Sequence, residues 1–495
     1  MQLSPVKKLV IAGGGTAGWM AAAAFSIKFG ELIDITLIES DEIGTVGVGE
    51  ATIPPIRVFH KLLGIDEQEF MRATSATFKV GISFENWGQK GDRYIHSFGK
   101  TGKETWLGDF HHFWLHSRAV GMDFDFGDFC LEVQASLAHK FFTGPNADIN
   151  YAYHLDASVY AKFLRGISEK KGCKRVEGKV VEVKQDHDSG FITSLLLASG
   201  ETIEGDLFID CSGFRGLLIE QTLRTGYEDW THWLPCDSAF AVPTESVGPA
   251  VPYTRAIAHH AGWQWQIPLQ HRVGNGLVYC SSFMKDEEAR TTLLQKLDSK
   301  PIADPRPIKF RAGRRHKSWN KNCVAIGLSS GFIEPLESTS IHLFIMAITR
   351  LMRLFPFNGV DPTLRDEYNR ETLAEIEPIR DFVILHYRAT ERDDSPFWRY
   401  CKNMEVPATL AHRIELFKKA GHAYQAPGEL FRIDSWTQVM FGQRIMPEQY
   451  HHIAHLMNEA ELRKFFTLMK EAIKRDVAKL PAHEDFVQQY CKTMM

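Results

Sequence analysis

The stretch KKLVIAGGGTAGWMAAAAFSIKFGELIDITLIES, residues 7–40, restricts the possible folds more than any other part of the chain. It reads as a short apolar strand, a glycine turn, an alanine-rich helix and a second strand over residues 34–38 that ends at Glu39. The helix is expected to stop near Gly30, a residue suited to the left-handed C′ position. Gly13, Gly15 and Gly18 satisfy G-x-G-x-x-G. Gly13 makes the tight turn, Gly15 lets a pyrophosphate approach the backbone, and Gly18 lets the helix pack on the strand. Thr16 and Ala17 open the helix, whose free N–H groups then face the phosphates. Glu39 follows Gly18 by 21 residues, where a carboxylate accepts hydrogen bonds from an adenosine ribose. The pattern predicts a dinucleotide-binding βαβ unit.

Leu9 to Ile27 is a run of 19 uncharged residues behind two lysines, superficially like a signal peptide or membrane span. The triple glycine at 13–15 cuts it in half, so buried structure in a cytoplasmic protein is expected. With 495 residues and a net charge of −4, the chain can build two or three cores. Nothing in that charge calls for a nucleic-acid or anionic-membrane partner. The eight cysteines show no metal-clip spacing, so reduced and mostly buried thiols are expected.

Further strands are expected in DLFIDCSGF and NCVAIGLSSGF, a hairpin in GKVVEVKQD and FITSLLLASG, and a helix over residues 151–165. From Ile341 onward the pattern is helical. The nucleotide-type strands recur near residues 10, 36, 208 and 325. Residues 1–350 are therefore expected to form a nucleotide module with substrate elements interleaved at about 85–150 and 230–300. Residues 351–495 are expected to form a mainly helical region that completes the substrate pocket.

NAD and FAD share the fingerprint, and other features separate them. The chain has no second G-x-G-x-x-G for a nicotinamide nucleotide. It has GTVGVGEATIPP, where Gly44, Gly47 and Gly49 free the backbone beside Glu50. Scattered strands converging on one nucleotide favour FAD. In GWQWQIPL, period-2 spacing puts Trp263 and Trp265 on one face of a strand that closes at Pro268.

The fingerprint, WQWQIP and GFIEPLESTSIH together resemble the flavin-dependent tryptophan halogenase family. GVGEATIP, AYHLDA, DLFIDCSGFRG and IGLSSGF are similar to family segments too. The resemblance runs to about residue 350 and is weaker beyond. It implies an α/β, FAD-binding Rossmann-like fold of the flavoprotein monooxygenase (GR2) type, with an inserted β-sheet substrate region. It also implies chemistry. FADH2 from a separate NAD(P)H-dependent flavin reductase reacts with O2 to give a flavin hydroperoxide. Chloride or bromide attacks that group, and the hypohalous acid crosses a tunnel to a lysine beside a small aromatic substrate.

By resemblance the lysine is Lys79 in TFKVGISFENW and the assisting glutamate is Glu337 in EPLEST. Ser338 links the tunnel to the halide site, and Thr339 and Ser340 bind halide, with Ser340 standing where family members often have glycine. Leu328 and Ile341 contact the flavin, and Val180 lies by the adenine. Trp263 and Trp265 wall the flavin from the substrate, which suppresses hydroxylation. Glu334 and Pro335 are read as structural.

His96 and Phe98 match an H-x-F pair that lines the indole site. LFRIDSWTQVMFGQ supplies Trp436 and Phe441 but lacks the tyrosine pair that clamps free tryptophan in the family. Indole, or a larger indole-bearing or phenolic compound, is the expected substrate. His451 and His455 have helical metal-ligand spacing without an acidic third ligand, and no metal is expected. His111 and His112 are expected to pack or to line the substrate cavity. The competing readings are a flavin-dependent hydroxylase and a non-catalytic flavoprotein.

Overall fold

A computed structural model describes residues 4–42, 49–103, 108–145 and 147–493. Gly44 and Gly47 lie outside the described residues. The first strand, β1 (Lys8–Ala12), leads through the glycine turn into α1 (Thr16–Phe29) and then β2 (Asp34–Glu39). β1 pairs in parallel with β2 on one side and with strand Leu207–Asp210 on the other. Its residues 9–12 are buried, the continuous apolar run of a parallel strand covered on both faces. Cys323–Ala325 and Lys174–Glu177 extend the sheet in parallel, and Trp319–Asn320 adds an antiparallel edge. The expected hairpin forms between Val180–Gln185 and Ile192–Leu197.

Gly13 has φ +117°, and a Cβ there would lie 2.3 Å from the Cys211 carbonyl oxygen. The turn therefore requires glycine on both counts. Gly30 corrects the expected left-handed cap. Its φ is −60°, and a Cβ would come within 2.5 Å of the Ser26 carbonyl oxygen. Close packing, rather than a special dihedral, excludes a side chain there.

Residues 151–165 are also corrected. They begin as strand Ala152–Asp156 and become helix only at Ala157–Lys170, where the Asp156 side chain accepts from the Ser158 and Val159 N–H groups. The strand is buried at all five positions, so it lacks the alternation that marks a half-exposed strand. It sits between Gly49–Ala51 and Thr77–Lys79 in a small antiparallel sheet, which brings Glu50 and Lys79 into one layer.

The second large sheet has seven strands drawn from residues 81–97 and 238–309. Strand Gly262–Pro268 lies inside it, paired with Tyr253–Ala258 and Val273–Tyr279. Helices Ser340–Arg353, Pro362–Arg388 and Ile433–Gly442 follow. Among the described residues no helix is long and apolar enough to cross a membrane. All eight cysteines are free thiols.

Candidate active site

A cavity of about 380 Å³ opens at the C-terminal ends of β1 and β2. This is the position where open α/β sheets bind nucleotides. Gly13, Gly15, Thr16 and Ala17 line one end, with Glu39 and Val180 beside them. A Cβ on Gly15 would meet no atom within 4 Å, so this glycine leaves open space above the helix N-terminus. That cradle fits a pyrophosphate. Gly18 does not line the cavity. A Cβ there would lie 1.9 Å from the Gly13 carbonyl oxygen, so it serves the helix–turn contact. Glu39 accepts from Trp19 Nε1 at 3.1 Å and pairs with Arg175 at 2.5 Å, a partner not evident in the sequence.

The other end is lined by Gly49, Glu50, Leu328, Ile341, Trp263 and Trp265. The two indoles are 6.2 Å apart between centroids, and the strand buries both side chains. The Trp265 ring lies directly over Gly276, where a Cβ would be 2.0 Å from its Cζ2. Trp263 Nε1 donates to Glu334 Oε2 at 2.9 Å, and the Tyr387 hydroxyl donates to the same oxygen at 2.6 Å. Burial pushes the Glu334 carboxyl up to about 7.

Ser338 also lines this cavity, and behind it stands Lys79, fully buried. Lys79 Nζ donates to Ser338 Oγ at 2.6 Å and to the Thr52 carbonyl at 3.1 Å, and lies 5.3 Å from the Phe98 ring centroid. Burial lowers its pKa to about 7, against an opposing pull from the Glu337 charge. Ser338 has φ +58°, the left-handed region, as it caps the short helix Pro335–Glu337. Non-glycine residues held there are strained, and such strain clusters at functional sites. Thr339 and Ser340 begin helix Ser340–Arg353. Ser340 faces the cavity, and the buried Thr339 hydroxyl has no partner.

Glu337 is engaged by two histidines. Its Oε2 lies 2.8 Å from His96 Nδ1 and its Oε1 lies 2.8 Å from His386 Nε2. Burial alone would raise its pKa, but the charge of His96 and the imidazole of His386 hold it well below the usual carboxylate range. His386 was not legible in the sequence, and neither were Phe382 and Phe431. These two rings stack at 3.8 Å, each within 6.1 Å of the His96 ring, and Trp436 meets Phe382 edge-on at 4.8 Å. The signal for Phe382 and His386 lay in helical periodicity, which reads equally as core, while Phe431 precedes helix Ile433–Gly442 and carried none.

Phe441 is not part of this aromatic group. It packs on Trp114, Phe126 and Phe417, because five residues beyond Trp436 on helix Ile433–Gly442 place it on a different face. His111 and His112 do not line the large cavity. His111 Nε2 donates to the Gly421 carbonyl at 2.7 Å, and His112 Nδ1 accepts the His451 N–H at 3.3 Å. With Asp109 they bring ligand-type atoms within 4.8 Å of one another, yet these bonds commit a nitrogen of each ring to packing. His451 caps a 3₁₀ turn through the Ile453 N–H, so the helical spacing with His455 is not realised.

The fold and the cavity define a flavoenzyme-type nucleotide site joined through one serine to a buried amine. The family model for tryptophan halogenase matches residues 8–459. The tryptophan 6-halogenase SttH of Streptomyces toxytricini is 39% identical over 442 residues, 83% of this chain and 84% of that one. Xcc4156, a flavin-dependent halogenase from Xanthomonas campestris, superposes with a TM-score of 0.98 at 53% identity over 99% of both chains. BrvH, a flavin-dependent halogenase from Brevundimonas sp. BAL3, gives 0.95 at 42% identity, covering 98% of this chain and 99% of that one. The chain belongs to the tryptophan halogenase family and is an enzyme of the flavin-dependent halogenase class.

Proposed function

We propose that this protein uses reduced FAD, O2 and chloride or bromide to make hypohalous acid, and delivers the halogen through Lys79 to an electron-rich carbon of indole or an indole-type aromatic. One observation carries the reading: a fully buried lysine amine bonded to the serine that lines the nucleotide cavity. Gly13 to Ala17, Glu39, Gly49, Glu50, Val180, Leu328 and Ile341 would hold the flavin nucleotide. Bound there in reduced form, it supplies with O2 the oxidising power for the halide. Thr339 and Ser340 offer halide hydrogen bonds at a helix N-terminus, and Ser340 opens onto the cavity. Trp263 and Trp265 keep an organic substrate from the flavin.

The Ser338 hydroxyl stands between cavity and amine, where it relays the acid to Lys79. The amine accepts the halogen or holds the acid by hydrogen bonds. Glu337, held as a carboxylate by its histidines, stabilises charge developing on the ring and receives the ring proton.

The named relative SttH is a tryptophan halogenase. Here the cation beside Trp436 is already engaged. Arg413 stacks on that ring at 4.0 Å while bonded to Glu429 and the Tyr424 carbonyl, so it offers no free grip for an amino-acid carboxylate. This favours indole over tryptophan. A separate flavin reductase supplies FADH2. The testing assay couples purified protein to a reductase and asks for bromide-dependent halogenated indole. Hydroxylated product instead would make it a monooxygenase, and no product with any halide would leave a flavin-binding protein.

A further inference from the structure

His386 lies on helix Pro362–Arg388 with its side chain fully enclosed. Its Nδ1 is 2.9 Å from the Phe382 carbonyl oxygen. A carbonyl only accepts, so Nδ1 carries a proton. Its Nε2 faces Glu337 Oε1 at 2.8 Å. A neutral ring with its proton on Nδ1 would set a lone pair against the carboxyl oxygen. The contact therefore holds a second proton, on the imidazole or on the acid. The Nε2–H direction lies off a good hydrogen-bond line, which makes the attraction chiefly electrostatic.

The surroundings favour charge on the ring. Glu337 already accepts from His96 Nδ1 on its other oxygen, and a donor to the carboxylate favours its ionised form. Tyr94, from the strand that carries His96, places a buried hydroxyl near Glu337. Lys79 faces it from strand Thr77–Lys79, in a burial that favours the neutral amine. Gln443 donates to the His386 carbonyl, and Phe84, Trp87 and Phe382 surround the ring with apolar surface. An unbalanced carboxylate in such a place is costly, and His386 is the group placed to balance it.

We propose that His386 is a positioning residue that stands as an imidazolium against Glu337, fixing the carboxylate charged and in one orientation. This rests on the proposed catalytic role of Glu337. The histidine does not itself meet the substrate in this scheme; it sets the protonation state of the group that does.

Imidazole 15N NMR on the wild-type protein without added flavin tests the pair directly, with the His386 signals assigned by their loss in His386→Gln. At pH 7 both nitrogens of His386 should be protonated, and Glu337→Gln should convert it to a neutral ring with its proton on Nδ1. In turnover, His386→Gln should lower kcat by up to about a hundredfold, because Glu337 loses the group that orients it. KM for the aromatic should stay near wild type. An unprotonated Nε2 at pH 7 in the wild-type protein, or an unchanged kcat in His386→Gln, overturns the proposal. The NMR result needs no turnover. A wild-type enzyme that makes no halogenated product would therefore fail the proposed function while leaving the ion pair testable.

Discussion

Lys79 Nζ lies 2.6 Å from Ser338 Oγ, so one hydroxyl separates a buried amine from the nucleotide cavity. The amine has two acceptors, Ser338 Oγ and the Thr52 carbonyl, which match the two N–H bonds of its neutral form. An ammonium would bring a third donor and a charge, and the nearby carboxylate, Glu337, is engaged by His96 and His386. The arrangement favours a nucleophilic amine over a cation.

If Lys79 only captures an oxidant made in the neighbouring cavity, Lys79→Ala should leave FAD binding and oxygen consumption nearly intact. Halogenated product should fall to background, and an added phenol or thiol should trap the escaping hypohalous acid. A variant that still halogenates at close to the wild-type rate would remove the lysine from the mechanism.

The same residue costs stability. Burial lowers the Lys79 pKa from 10.5 to about 7, so between those values the unfolded chain binds a proton that the folded one does not. Stability therefore rises with pH across that window, and at or below pH 7 the buried amine costs on the order of a few kcal/mol. Lys79→Met keeps the shape and removes the charge. Its Tm should exceed wild type by several degrees at pH 7, and the difference should shrink toward pH 10. Thermal unfolding across that range checks it; an equal or lower Tm at pH 7 would contradict it.

The nucleotide end of the site was legible because its glycines are fixed by contact, as at Gly13 against Cys211 and Gly18 against Gly13 itself. Lys79, Ser338 and Glu337 came from resemblance, since no spacing ties residue 79 to residue 338. What escaped was tertiary. His386 lies 49 residues beyond Glu337 on a helix whose buried positions look like any core stripe. Strand Ala152–Asp156 escaped for the opposite reason, because burial on both faces erased its alternation. Phe441 shares a short motif with Trp436, but the helix turns it to another face.

If the aromatic substrate sits beside Trp436, its choice follows from the groups around that ring. Arg413 is paired with Glu429, and Arg432 donates to the Phe98 carbonyl, so the cations there are already engaged. Indole should be halogenated faster than free tryptophan at equal concentration, at the electron-rich pyrrole carbon. Competition between the two in one reaction, read by mass and NMR, measures it. Efficient benzo-ring halogenation of tryptophan would show that another group grips the amino acid.

Trp263 has a second attachment beyond packing, its indole N–H to the buried Glu334 carboxyl. Burial raises that carboxyl from 4.5 to about 7, so the folded protein holds a proton that the unfolded chain has lost between those values. That contribution falls as pH rises through 7. The Trp263 N–H opposes the shift, because it bonds the ionised form. Trp263→Phe keeps an aromatic wall but leaves Glu334 Oε2 with Tyr387 alone. A buried acceptor stripped of a donor costs about 1–3 kcal/mol, more when it is charged. The Tm deficit of Trp263→Phe should therefore be larger at pH 8 than at pH 6. In turnover, the slimmer wall should raise the share of consumed oxygen that appears as peroxide or hydroxylated indole. A deficit that is flat with pH would separate Trp263 from Glu334, and an unchanged ratio of product to oxygen would mean the indole does not guard the flavin side.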